Sequence, residues 1–244
     1  MASFDIFTAC LNGQANLVAS AISRDHELIN KQDPNSDGRT ALHHACTAGS
    51  LDTVTALLST NRADVNARDG SGFTPLLVAC AAGQLGIVQA LIGAGADVTA
   101  TNARGQTGLH YAASRGNVPV ATALLAKGAD VNARDRGGQL PLHRAASMGS
   151  VPFIQLVLKA NPGAKTPSQG KPRLNTLDNN SNTPLHLAIE SGHAEAAVVL
   201  IEGGADRERL NGDGVRAEDM EGVGGQEARK VKAYIISHCG RAGE

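Results

Sequence analysis

Histidine and cysteine are the residues here with the chemistry to bind a metal or act as a nucleophile, and their spacing is regular. His43, His110, His143 and His186 each end a four-residue motif: Thr40-Ala41-Leu42-His43, Thr107-Gly108-Leu109-His110, Leu140-Pro141-Leu142-His143 and Thr183-Pro184-Leu185-His186. A further copy, Thr74-Pro75-Leu76-Leu77, carries Leu in place of His. A shared metal needs imidazole nitrogens about 2 Å from one centre. One histidine per recurring unit, on helices stacked about 8–10 Å apart, does not meet that demand. These histidines are expected to be buried and to tie neighbouring backbone together. His44, beside His43, matches no ligand spacing. Cys10, Cys46 and Cys80 also recur, 36 and 34 residues apart, in a slot that Ala113 and Ala146 fill elsewhere. That separation exceeds the roughly 7 Å between Cα atoms that a disulfide spans, so reduced, buried thiols are expected. Cys239 lies apart and is expected to be inert. No phosphate-binding loop, dinucleotide fingerprint or Gly-x-Ser-x-Gly elbow is present, so no catalytic residue and no cofactor are assigned.

The elements that position these residues follow from the same period. Successive tetrapeptides start 34, 33, 33 and 43 residues apart. Each is followed by a small pair (Ala45-Cys46, Ala79-Cys80, Ala112-Ala113, Ala145-Ala146) and then by Gly49, Gly83, Gly116, Gly149 or Gly192. An apolar stripe at helical spacing comes next, such as Leu51, Val54, Leu57 and Leu58, or Leu85, Val88, Leu91 and Ile92. Gly-Ala-Asp closes the unit at Gly95, Gly128 and Gly204. Threonine caps the first helix, proline suits its first turn, and glycine ends it in a left-handed residue. Each unit is therefore two helices and a turn, and buries its apolar side only against neighbours.

The ends read as caps. Phe4–Cys10 replaces a first helix without the tetrapeptide, followed by a second helix through Leu17, Val18 and Ile22. Arg216-Ala217-Glu218-Asp219 stands where a last tetrapeptide would, before a helix through Val231, Ala233, Tyr234, Ile235 and Ile236. The expected organisation is one domain over 1–244, with units at about 1–36, 37–70, 71–103, 104–136, 137–179, 180–212 and 213–244. The long step places an insertion at 161–175, rich in Pro, Gly and Lys, expected as a mobile surface loop. A basic contact loop, or a modification site at Thr166 or Ser168, is the alternative.

Net charge is −1, so no global field selects nucleic acid or an anionic membrane. Its distribution is uneven. Residues 1–69 carry five basic against eight acidic side chains, 70–160 seven against three, 161–175 three against none, and 176–244 seven against twelve. No apolar run approaches the roughly 20 residues of a membrane helix. The expectation is a monomer, cytoplasmic and nuclear, with no nucleic-acid or membrane partner.

The Thr-Pro-Leu-His motif, the paired helices, the Gly-Ala-Asp ending and the 33-residue period resemble the ankyrin-repeat family over nearly the whole chain. The resemblance implies an all-α solenoid of about seven repeats, with hairpin-like tips and a concave groove that binds protein. Tips and first-helix faces line that groove, which makes Asp37, Arg39, His44, Asp69, Phe73, Arg104, Tyr111, Arg115, Arg136, Arg144, Met148 and Glu190 the expected partner-binding residues. Arginine and aromatic side chains dominate interface hot spots. More narrowly, Asp37–Gly49, Leu109–Arg115 and Asn182–Ala188 resemble the ankyrin-repeat chaperones that assemble the proteasome regulatory particle. That resemblance implies a groove holding the acidic C-terminal helical domain of one proteasomal ATPase, with Arg39 and Arg115 at positions that pair with its carboxylates. An ankyrin scaffold or inhibitor for another protein, such as a kinase or transcription regulator, is the alternative.

Overall fold

A computed structural model describes residues 4–159, 170–220 and 225–242, with side chains from 229 onward in the last segment. Thirteen α-helices and one two-stranded sheet lie among the described residues, in two compact units, 1–108 and 109–244. The first unit holds α1 (Ile6–Leu11), α2 (Ala15–Arg24), β1 (Gln32–Asp33), β2 (Arg39–Thr40), α3 (Ala41–Ala48), α4 (Leu51–Leu58), α5 (Pro75–Ala82) and α6 (Leu85–Gly93). Here α1, α3 and α5 lie side by side in one row, and α2, α4 and α6 in another. The second unit holds α7 (Gly108–Arg115), α8 (Val118–Leu125), α9 (Pro141–Ser147), α10 (Val151–Lys159), α11 (Pro184–Glu190), α12 (Ala194–Glu202) and α13 (Gly225–Cys239). In it α9 lies beside α11, α8, α10 and α12 form a row, and α13 closes on α12.

Each first helix is short because both ends are written into its sequence. The Thr74 hydroxyl accepts the Leu77 N–H at 3.3 Å, and Pro75 opens α5 where a missing N–H costs nothing. Gly83 ends α5 at φ 76° and Gly49 ends α3 at φ 74°, a left-handed conformation that Cβ disfavours. α3 buries Ala41 through Cys46 without interruption, and α5 Pro75 through Cys80, so each is covered on nearly all sides. Alanine and cysteine keep these rows thin. The second helices bury only a stripe: Val54 and Leu57 in α4, Val88 and Leu91 in α6, Phe153, Ile154 and Val157 in α10. Leu17 and Leu51, expected in the stripes, are 46% and 44% exposed. Among the described side chains of α13 Val231 and Ile235 are buried, while Ala233 and Tyr234 face solvent.

The tetrapeptide histidines join neighbouring repeats. Nδ1 of His43, His143 and His186 accepts the backbone N–H of Thr40, Leu140 and Thr183 at 3.2, 3.0 and 3.3 Å. Nε2 faces a carbonyl of the next repeat: Phe73 at 2.9 Å from His43, Gln139 at 3.0 Å from His110, Asn182 at 3.2 Å from His143 and Val215 at 3.1 Å from His186. A ring that accepts at Nδ1 and donates from Nε2 is neutral, in one tautomer.

Two features differ from expectation. The hairpin-like tips are mostly turns: β1 and β2 pair through Gln32 with Thr40 and Asp33 with Arg39, and Leu210 bridges Arg216. The insertion is also shorter at its far end. In several outer loops an asparagine reaches the next repeat: the Asn66 amide oxygen accepts the Asp97 N–H at 2.8 Å, and Asn175 that of Asp206 at 2.8 Å. Asn132 does the same with Arg173 N–H at 2.9 Å, and donates to the Lys171 carbonyl at 3.0 Å. The register is therefore regained by Lys171. Asn161–Gln169, with Thr166 and Ser168, lies outside the described residues.

The C-terminal cap has a lock of its own. The Arg207 guanidinium pairs with both oxygens of buried Glu218, and also donates to the carbonyls of Cys239 and Gly240 at 3.1 and 2.9 Å, where α13 ends.

Two predictions follow from this bonding. Burial lowers the pKa of His43, His110, His143 and His186 below the ordinary imidazole value. The unfolded chain then binds more protons below about pH 6.5, and stability present above that pH is lost as it falls, by at most about 1.4 kcal/mol per histidine per pH unit. Urea midpoints should be level from pH 7 to 8 and drop steeply by pH 5.5. Arg207→Ala strands Glu218 and frees the end of α13, at a cost of about 3 kcal/mol. Hydrogen exchange should show α13 amides losing protection before those of α9 and α11.

Candidate protein-binding face

Five residues before each tetrapeptide position stands an Asp or Asn: Asp69, Asn102, Asp135, Asp178 and Asn211, with Asp33 seven residues before Thr40. One side-chain oxygen closes the tip turn. Asp69 accepts the N–H of Ser71 and Phe73 at 3.1 and 2.8 Å, Asn102 those of Arg104 and Gln106 at 2.9 and 3.0 Å, and Asp178 those of Asn180 and Asn182 at 3.0 and 2.9 Å. Asn211 repeats it with Asp213 and Val215, both at 3.0 Å. Such turns are a habit of Asx side chains, which satisfy the backbone locally. In three of the four aspartates the second oxygen takes a donor: Arg39 Nε on Asp69 at 3.1 Å, Arg144 Nη2 on Asp135 at 3.0 Å and Gln139 Nε2 on Asp178 at 2.9 Å; at Asp33 the His44 Nε2 lies 3.0 Å away without a hydrogen bond.

This arrangement sorts the expected contact residues. Arg104, Arg115, Arg136, Met148 and Glu190 are exposed, Met148 by 59%. Phe73, Tyr111 and Arg144 are partly exposed. Asp37 is exposed, and its carboxylate accepts the Ser71 hydroxyl of the next tip at 2.9 Å. Two expectations are corrected. Asp69 does not present its carboxylate to solvent: the side chain is 1% exposed and closes its own turn. His44 is buried too, its ring 5.4 Å from that of Phe7 and its Nε2 against Asp33. Burial lowers its pKa, and the Asp33 charge only partly opposes that. Arg39 is part-way between, its side chain 31% exposed while its Nε is held by Asp69.

The electrostatics follow from burial. Burial alone would raise the Asp135 pKa, but the Arg144 guanidinium and the Gln139 N–H hold it below the ordinary carboxylate value. Burial pushes the Cys10 and Cys80 thiols up to about 12 and Cys46 higher still, so these are poor nucleophiles. No group of three His, Cys, Asp or Glu side chains among the described residues is placed to hold a metal ion. The fixed spacing of the tip Asx residues was visible in the sequence. Their burial, and the pairing of Asp135 with Arg144, was not.

A family model described as ankyrin repeats matches the chain three times, over residues 6–102, 76–169 and 109–211. The chain belongs to the ankyrin-repeat family, whose members are protein-interaction modules and typically not enzymes. Among curated proteins it is similar to the RelA-associated inhibitor of Mus musculus, 42% identical over 91 residues, which is 37% of this chain and 11% of that protein. It is also similar to the E3 ubiquitin-protein ligase KEG of Arabidopsis thaliana, 45% identical over 62 residues, 25% of this chain and 4% of that protein. The SMC5-SMC6 complex localization factor protein 1 of Bos taurus is 41% identical over 64 residues, 26% of this chain and 6% of that protein. The chain therefore spans a small fraction of the length of these relatives, and the likeness is to their repeats.

The two roles of Asp69 are separable by mutation. Asp69→Ala removes the turn acceptor and unpairs Arg39, and should cost about 2 kcal/mol in urea denaturation. Asp69→Asn keeps the acceptor that Asn102 and Asn211 provide, and should cost well under half as much.

Proposed function

We propose that this chain is a protein-binding scaffold whose tip and first-helix residues take an acidic, helical partner, and that the partner is the C-terminal domain of a proteasomal ATPase. The broader statement rests on the ankyrin repeats. The observation that carries the acidic partner is the pair of exposed arginines of the second unit, Arg115 and Arg136, in a stretch of sequence whose charge is net positive between acidic ends. Arginine presents a planar fork to a carboxylate, and such pairs steer encounter and set specificity. The particular partner rests on resemblance to gankyrin in Asp37–Gly49, Leu109–Arg115 and Asn182–Ala188. A gankyrin-like protein holds one ATPase while the regulatory-particle base is assembled and leaves the finished particle. The mechanism is steric: an occupied ATPase C-terminal domain does not dock prematurely on the proteolytic core. On this reading the protein works in cytoplasm and nucleus, as a monomer when free.

A second reading is an inhibitor or scaffold for a transcription regulator. The similarity to the RelA-associated inhibitor over 91 residues favours it. Affinity capture of the tagged protein, with mass spectrometry of the co-purifying proteins, separates the two. A stoichiometric base subcomplex is the outcome expected for the chaperone. Its absence beside another stoichiometric protein would overturn it.

Arg115→Glu should weaken capture of that partner at least tenfold and leave the melting temperature unchanged, since Arg115 is exposed at the end of α7. Arg39→Glu should lower the melting temperature as well, because it sets a carboxylate against Asp69.

A further inference from the structure

We propose that Asp135, although buried, is a positioning residue for partner binding: it holds the Arg144 guanidinium ready for a carboxylate of an acidic helix. The inference rests on the reading above that this face takes an acidic partner. It does not depend on the partner being an ATPase.

The turn at this tip does not need a carboxylate. One neutral amide oxygen suffices at the same position in Asn102 and Asn211, each of which accepts two backbone N–H groups. Asp135 spends one oxygen in the same way, on the Gln139 N–H at 2.9 Å. Its charge and second oxygen are surplus to the turn, and they meet Arg144 Nη2 at 3.0 Å. The Asp135 side chain is 3% exposed, so a partner does not reach it, whereas Arg144 is 37% exposed.

The guanidinium is only partly satisfied from within. Asp135 is the acceptor it has among the described residues, and its Nε is buried without one. The remaining fork is oriented from α9 and carries donors for an incoming carboxylate. Arg136, next in the chain to Asp135, is exposed and adds a second positive charge at this tip. A free arginine loses rotamer entropy on binding, and one already held loses less. The same device recurs in the other unit, where Asp69 holds Nε of Arg39.

The test is a double-mutant cycle with a fluorescein-labelled, glutamate-rich helical peptide as probe, read by anisotropy at low salt. Asp135→Asn should weaken binding by about three- to tenfold, the gain expected from one pre-ordered long side chain. Arg144→Ala should weaken it at least as much, and Asp135→Asn added to Arg144→Ala should change nothing further. A melting temperature for Asp135→Asn close to that of the parent keeps the comparison free of unfolding. Unchanged or tighter binding by Asp135→Asn would overturn the proposal, because the carboxylate would then be idle or a competitor. So would an equal loss in the Arg144→Ala background, which marks a purely structural role, or no binding of the peptide by the parent protein. If the cycle behaves as expected while affinity capture returns no ATPase, the positioning role stands and the identity of the partner falls.

Discussion

In four of the tips the carbonyl oxygen that closes the turn takes a second donor, and the tetrapeptide histidine of the preceding repeat supplies it. His43, His110, His143 and His186 all aim Nε2 at such a carbonyl, at 2.9–3.2 Å. The bond works only if the ring is neutral and accepts at Nδ1, which in His43, His143 and His186 is met by the N–H at the start of their own helix. One side chain thus caps its helix and fixes the next tip. Because a repeat buries its apolar face only against its neighbours, such a link joins two terms that would be marginal apart. Leu77 stands in the one tetrapeptide without histidine, and there the Thr74 hydroxyl caps α5.

The tips inherit their geometry from that link. Phe73, Gln139, Asn182 and Val215 each have the carbonyl held by a histidine and the N–H by the tip Asx, so their side chains leave from a fixed backbone. The Gln139 side chain reaches the Asp of the following tip, and so does that of Arg39. The arginines near the tips are of two kinds. Arg39 and Arg144 are already engaged by buried carboxylates, whereas Arg104, Arg115 and Arg136 stand in solvent. The buried thiols are held protonated, and the imidazoles of His43, His143 and His186 are occupied at both nitrogens.

The first and last helices are fastened differently. α13 turns Lys232, Tyr234 and His238 outward and Val231 and Ile235 inward, and Arg207 fastens it through Glu218 and the carbonyls of Cys239 and Gly240. At the N-terminus Asp5 caps α1 by accepting from Phe7 and Thr8, both at 3.1 Å.

Much of the architecture was legible because it is local and repeated. The period, the Thr or Asx caps, the left-handed glycines and the Ala-Cys slot each depend on a few adjacent residues, and recurrence separated them from chance. The buried thiols and the backbone-bound histidines were legible for the same reason, since each recurs at one fixed place in the repeat. The site was less so. Sequence placed Asp69, His44, Arg39 and Arg144 on one nominal face, but did not tell a buried carboxylate from an exposed one. Asp135 and Arg144 are nine residues apart, Arg207 and Glu218 eleven, and Arg39 and Asp69 thirty. Those pairings are set by where the turn ends and the next helix begins, to within the length of a hydrogen bond. The sequence by itself determined which backbone groups need partners and which residue types recur to meet them. Only the tertiary structure decided which side chain each surplus oxygen took, because that choice is made across the contact between elements rather than along the chain.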